Sequence, residues 1–167
     1  PQIHHREIVA QSKLFRVERL DLEFSNGATR QFERMAGGNR GAVMIVPMID
    51  KDTLVLIREY AAGFHEMLLT LPKGLVEAHE SLEAAASREL AEEVGFGAKR
   101  TELVKRLTLA PGHMGFAINV VFATDLYAHQ LQGDEPEPIE LVPWPLQRLD
   151  ELLHSDEFCE ARAIAAL

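Results

Sequence analysis

The sequence predicts an α/β domain preceded by an antiparallel β-hairpin, and three stretches carry that prediction. "LFRVERLDLEFSNGATRQFERM" sets two strand-like runs around Ser25-Asn26-Gly27, and Asn-Gly is the strongest short hairpin signal. "AVMIVPMI" and "TLVLIREY" are apolar runs separated by Asp50-Lys51-Asp52, the pattern of a buried strand pair. "GLVEAHESLEAAASRELAEEVGF" reads as a glycine turn followed by one helix.

In chain order the hairpin comes first. Its apolar alternation changes phase between Val17 and Leu20, which predicts a bulge there. Gly37-Gly38-Asn39-Arg40-Gly41 is a loop, and the buried strand pair follows it. A shorter strand near "MLLTLP" leads into the glycine turn. The helix is predicted to begin after Ser81, an N-cap residue, and to end at Gly95, a C-cap residue. "ELVKRLTLA" and "FAINVVFATDL" are strands flanking a loop at Pro111-Gly112. "QGDEPEPIE" is an acidic, proline-bearing loop, and a short strand then runs to Trp144. "PLQRLDELL" and "DEFCEARAIAAL" read as helices. The chain shows no internal repeat, low-complexity tract or interdomain linker.

Composition bounds the function classes. At 167 residues, 47% hydrophobic and 26% charged, the chain matches a soluble domain with a real core. A formal net charge of −9 argues against a nucleic-acid surface, which shows a basic stripe. An acidic protein still handles an anionic substrate when divalent cations intervene. The single cysteine, Cys159, excludes an internal disulfide and fits a reducing, cytoplasmic setting. No run reaches membrane-spanning length and no signal-peptide pattern opens the chain. The chain starts at Pro1 and stops at Leu167 inside a helix-like run, as expected of a sequence trimmed at both ends.

The helix carries its carboxylates in an unusual place. At about 100° per residue, Glu89 and Glu93 fall within roughly 40° of each other. Leu82 and Ala86 lie on that same side, whereas a surface helix normally keeps acids away from its apolar stripe. Glu92 completes an i, i+3, i+4 cluster. Like charges so close repel, and partial burial adds a desolvation cost. A hard divalent cation offsets both; Mg²⁺ takes a few carboxylates together with waters and phosphate oxygens. A solvated acidic face paired with Arg88 accounts for the spacing equally well.

A resemblance separates these readings. Gly74, Glu80, Arg88, Glu89, Leu90, Glu92, Glu93, Gly95 and Phe96 match every defined position of the Nudix hydrolase signature. That signature is a glycine, five residues, a glutamate, seven residues, then Arg-Glu-apolar-x-Glu-Glu-x-Gly-apolar. Pro111, fifteen residues after Phe96, resembles the ADP-ribose pyrophosphatase branch. "DLEFSNG", "NRGAVMIVP", "LIREYAAG", "EEVGFGA" and "GDEPEP" resemble the ADP-compound hydrolases of the NudE type. The resemblance implies an α/β/α sandwich with a mixed β-sheet. It divides the chain into an arm, residues 1–37, that dimerises, and a hydrolase domain, residues 38–167.

Site residues follow from the same resemblance. Glu89 and Glu93 correspond to direct metal ligands, with Glu92 beside them and the Lys73 carbonyl as a further oxygen. Arg88 and Glu80 correspond to the pair that orients the cluster, while Gly74 and Gly95 shape the turn and the helix end. Arg58, in "LIREY", resembles a phosphate-contacting arginine, with Glu59 beside it as a further substrate-binding candidate; the alternative for Arg58 is a salt bridge with Glu59 or another edge carboxylate. Arg34, Asn39 and Arg40 are candidates for adenosine or ribose recognition, with loop solvation as the other account. The loop "APGHMGFAIN" lacks the glutamate that many ADP-ribose pyrophosphatases carry there, and His113 reads as an exposed loop histidine. The base is therefore assigned to the later acidic loop: Glu135 as general base and Glu137 as its metal-side neighbour.

The implied activity is Mg²⁺-dependent hydrolysis of ADP-linked compounds such as ADP-ribose, NADH and diadenosine polyphosphates, releasing AMP. Mn²⁺ or another divalent ion is an alternative cofactor. The expected assembly is a homodimer without nucleic-acid or membrane partners. Two alternatives stand beside this reading. A non-catalytic ADP-ribose or NAD sensor would show a degraded signature, and a nucleoside-triphosphate house-cleaning hydrolase would lack the arm.

Overall fold

A computed structural model describes every residue except Asn39 and Asp134. The described chain divides into two compact units: residues 1–41 with 108–117, and residues 42–107 with 118–167.

The first unit is built on a three-stranded antiparallel sheet, β1 (Gln2–Gln11), β2 (Arg16–Glu23) and β3 (Thr29–Met35), in that order. The hairpin predicted from Asn26-Gly27 joins β2 to β3. Phe24 and Ala28 close it at 2.9 Å, Asn26 Oδ1 accepts from the Ala28 N–H, and Gly27 takes φ 79°. Two expectations need correction. The arm is not a two-stranded hairpin, because "QIHHREIVAQ" pairs along β2; its mostly polar sequence gives no period-2 signal. The irregularity also lies on β1 rather than β2. Register shifts fall between Ile3 and His5 and between Ile8 and Ala10, while β2 and β3 pair without a break from Val17↔Met35 to Glu23↔Thr29. The apolar phase change between Val17 and Leu20 therefore marks no bulge on β2 itself.

The second unit contains β4 (Ala42–Pro47), β5 (Thr53–Ala61), β6 (Glu66–Thr70), β7 (Lys73–Leu75) and β10 (Glu140–Pro145). Two long strands, β8 (Phe96–Leu109) and β9 (Phe116–Ala128), lie mostly within it. One sheet runs β7-β4-β9-β8 and another β10-β5-β6. The first is mixed, since β4 pairs parallel with β9 and antiparallel with β7. β10 carries Pro143 and Pro145, which is tolerable because it is an edge strand.

The strands bury both faces, and alternate residues sort into two cores. Met44, Leu54, Leu56, Leu69 and Val120 pack with Leu152, Phe158 and Ala163. Val43, Ile45, Val55, Ile57 and Val121 pack with Ala85, Ala86 and Leu90. Helix α1 (Leu82–Glu89) thus covers one face, and α2 (Leu149–Leu153) with α3 (Ala161–Ala166) covers the other. Burying a side chain such as Leu54 or Ile57 contributes about 1.5–3 kcal/mol.

The helices are shorter than the sequence predicts. "PLQRLDELL" becomes a 3₁₀ turn at Leu146–Arg148 followed by α2. In "DEFCEARAIAAL" the first residues form a turn, with the Phe158 N–H donating to Ser155 O. Glu160 caps α3 by accepting from the Arg162 and Ala163 N–H groups.

Candidate metal and catalytic site

Three backbone features place the acidic helix. The β7 strand carries Lys73-Gly74-Leu75 along β4, with Gly74 opposite Val43. Ser81 caps α1 by accepting from the Ala84 N–H at 3.1 Å, as its sequence position predicts. The helix does not continue as α to Gly95. Residues Leu90–Val94 form a π turn closed by the Gly95 N–H on Leu90 O, with Gly95 at φ 76°. A π turn is wider than an α turn and recurs at functional sites. Here it carries Glu92 and Glu93, so the angular estimate for an ideal helix does not hold past Glu89.

Arg88 organises the cluster. Its Nε and Nη2 donate to the two Glu80 oxygens at 3.0 Å each, and Nη1 donates to Glu89 at 2.7 Å and Glu92 at 2.9 Å. Nη2 also reaches Leu75 O at 2.9 Å, tying the helix to the glycine turn. This fork is partly buried, so it outweighs an exposed pair. The Arg88 contact pulls the Glu80 carboxyl below its ordinary range, and the Glu80 hydrogen bond holds Arg88 firmly charged.

Glu89 and Glu93 are pushed the other way. Glu89 is 8% exposed, and burial raises its pKa against the opposing pull of Arg88. Burial pushes Glu93 up to about 8, helped by the nearby Glu59 charge and opposed by the Lys73 N–H, which donates to Glu93 Oε2 at 3.0 Å. The Lys73 ammonium is paired with Glu59. Two desolvated carboxylates without full compensation are a standing site for a cation. The glycine turn is shaped around one of them: a Cβ on Gly74 would lie 1.9 Å from Glu89 Oε1.

The donor set therefore fits a hard divalent ion, being carboxylate oxygens with a backbone carbonyl nearby. Among the described residues no three acidic, imidazole or thiol groups already converge on one point. Arg88 holds Glu89 and Glu92, while Glu93 faces the Lys73 peptide.

The acidic loop meets the helix. Glu89, Glu92 and Glu93 line a cleft of about 460 Å³ together with Gln130, Glu135 and Glu137. A larger cleft of about 620 Å³ is lined by the loop after β4 and by residues of β8 and β9, but it sets Asp50 and Asp125 beside Lys51 and Lys99. Chemistry, rather than volume, selects the smaller one.

Family models match in two blocks: the NudE-type Nudix hydrolase N-terminal domain over residues 1–34 and the NUDIX domain over residues 38–167. The chain belongs to the Nudix hydrolase family. It is 52% identical over 167 residues to ADP compounds hydrolase NudE of Escherichia coli (strain K12), covering 100% of this chain and 89% of that relative. ADP-ribose pyrophosphatase of Bacillus subtilis (strain 168) is 26% identical over 149 residues, covering 88% and 80%. A crystal structure of ADP compounds hydrolase matches with TM-score 0.93 at 51% identity, over 99% of this chain and 89% of that one. The fold is the Nudix fold, and Nudix hydrolases use divalent cations.

The other candidates on this Nudix chain are engaged elsewhere or locally. Arg58 forks onto Glu140 at 2.6 Å and Glu157 at 2.9 Å, one of the two arrangements its sequence context allowed. It alternates with Ile57 and Glu59 along β5, so it points away from the face that α1 covers. Arg34 pairs with Glu18 in the first unit, Arg40 is exposed, and Asn39 lies outside the described residues. His113 is an exposed loop residue whose carbonyl accepts from the Met35 N–H. Sequence reasoning missed the Leu75 carbonyl, Glu157 and Gln130. None sits in a spaced motif, and backbone acceptors leave no signal in side-chain identity.

Proposed function

We propose that this Nudix hydrolase cleaves the pyrophosphate bond of ADP-linked compounds, with AMP as one product and a second phosphate ester as the other. The supporting observation is the cleft that Glu89, Glu92 and Glu93 line together with Glu135 and Glu137. The 52% identity to an ADP compounds hydrolase over the whole chain supports the substrate class, of which ADP-ribose, NADH and diadenosine polyphosphates are members. Mg²⁺ is the proposed cofactor. When bound, such an ion neutralises phosphate charge and lowers the pKa of a water.

The chain's own residues divide the remaining work. Glu89, Glu93, Glu137 and the Lys73 carbonyl would hold the ion, and Glu92 would adjust between ion and Arg88. Arg88 fixes where the cluster starts, since one guanidinium spans Glu80, Glu89 and Glu92. In the reaction a water oxygen bonds to one phosphorus while the bridging P–O bond breaks. Glu135 accepts the water proton, and the departing phosphate leaves with the bridging oxygen. Prolines at 136 and 138 limit the loop's freedom and hold Glu135 and Glu137 to a narrow range of aims. Arg34, Asn39 and Arg40 are proposed to recognise adenosine or ribose in the site of a second copy, and Glu59 holds Lys73.

The arm, residues 1–37, is proposed to join two copies. It leaves Leu14 79%, Phe15 55% and Phe32 44% exposed, an apolar load that association would cover. Sedimentation at micromolar concentration should give a dimer, and a monomer would refute that part. The activity is tested by AMP release from ADP-ribose, NADH and diadenosine triphosphate with Mg²⁺. Turnover of nucleoside triphosphates with none of these three would refute the substrate class.

A further inference from the structure

We infer that Gln130 is a positioning residue of the acidic cleft: its side-chain amide ties the loop bearing Glu135 and Glu137 to the π turn bearing Glu92 and Glu93. The inference rests on reading that cleft as the hydrolytic site. A helix end leaves its last carbonyls without intrahelical donors. At this end the Gly95 N–H returns to Leu90 O, and Ala91 O and Glu92 O are served from outside the helix.

Gln130 supplies much of that service. Its Nε2 lies 3.2 Å from Ala91 O, 3.3 Å from Glu92 O and 2.8 Å from Leu131 O. Three carbonyl oxygens around one end of an amide identify that end as the NH₂, because the amide oxygen cannot donate. Two backbone bonds complete the clip: His129 N–H to Gly95 O at 3.0 Å and Leu131 N–H to Ala91 O at 3.0 Å. Gly95 favours this arrangement on both counts. It takes a left-handed φ, and a Cβ there would meet Gln130 Oε1 at 2.4 Å. Further along, Gly133 rests on Glu92, where an added Cβ would lie 3.6 Å from Glu92 O.

The chain therefore leaves β9 already registered on the backbone of Glu92, and Glu135 follows two residues after Gly133. Gln130 is solvent-exposed and adds little to either core. Its bonds join the two halves of one cleft, where a displacement near 1 Å can cost about 10² in rate.

The test uses Gln130→Met, which keeps length but removes the donor, and Gln130→Ala, which removes both. Tm, Mn²⁺ affinity of the substrate-free protein, and kcat and KM on ADP-ribose are read for each. Both variants should remain folded, with kcat lowered about 10–100-fold, KM little changed and Mn²⁺ bound more weakly. Wild-type kcat and Mn²⁺ affinity in Gln130→Met would overturn the inference. So would a loss of kcat that disappears well below the variant's Tm, which would assign Gln130 to the fold alone. Wild-type protein inactive on every ADP-linked compound would refute the parent reading instead, and the Mn²⁺ measurement would still decide the role of Gln130.

Discussion

Replacing Gly74 by alanine adds one methyl group at the point where the glycine turn meets the acidic helix. The new Cβ would lie 1.9 Å from Glu89 Oε1, 2.0 Å from its Cδ and 2.3 Å from Oε2. Relaxed contacts of this kind need about 3.5 Å, so the carboxylate must move by roughly 1.5 Å. It can do so, because it is the end of a flexible side chain and Gly74 is not among the glycines with positive φ. The fold should therefore survive. Exchanging glycine for alanine at a compatible backbone contributes about 0.4–1 kcal/mol, which offsets the strained Arg88–Glu89 contact and keeps Tm within about 4 °C of wild type. Function should not survive. A displaced ligand should weaken divalent-cation binding about 10–100-fold and lower kcat/KM by about 10². Titration calorimetry with Mn²⁺, alongside AMP-release kinetics, reads both. Wild-type cation affinity in the variant, or its global unfolding, would refute the reasoning.

Two further predictions follow from the same geometry. Glu93 has its pKa raised to about 8 from an ordinary 4.5, so in cation-free protein its contribution to stability is full below about 4.5 and is lost as pH rises towards 8. Cation binding must then expel its proton: affinity should rise up to tenfold per pH unit below about 8, and calorimetry in two buffers of different ionisation enthalpy should show proton release. No dependence on the buffer would contradict this. Glu135→Gln should lower kcat by ~10²–10⁴ with KM little changed; wild-type kcat from about pH 6 to 9 would remove Glu135 as the base. Exposed Glu83 is the neutral control for that variant.

Much of the fold and the acidic site was legible because it is written in local chemistry. Ser81 and Gly95 bound the helix through capping, Asn26-Gly27 turns the hairpin, and the apolar runs of β4 and β5 declare burial on both faces. The spacing of Glu89, Glu92 and Glu93 put acids on the helix edge. The rest depends on partners distant in sequence. β1 is a strand because β2 offers it hydrogen bonds, although its own pattern is polar. The π turn leaves no trace in residue type, yet it decides where Glu92 and Glu93 point. Arg58 in "LIREY" looks free to bind phosphate until Glu140 and Glu157 arrive from much later in the chain. Gln130 at the end of a strand looks like any loop glutamine until its amide is seen against Ala91 O and Glu92 O.

The most direct test of the central claim compares AMP release from ADP-ribose by wild-type, Glu93→Gln and Glu83→Gln proteins as Mg²⁺ is titrated from EDTA-treated enzyme. Glutamine keeps the shape of Glu93 and can still accept from the Lys73 N–H, so the variant should fold with undiminished cation-free stability. The account predicts no turnover without added cation, saturating activation of wild type and Glu83→Gln, and loss of most activity in Glu93→Gln at every Mg²⁺ concentration. Turnover by EDTA-treated wild type, or by Glu93→Gln at the wild-type rate, would contradict it.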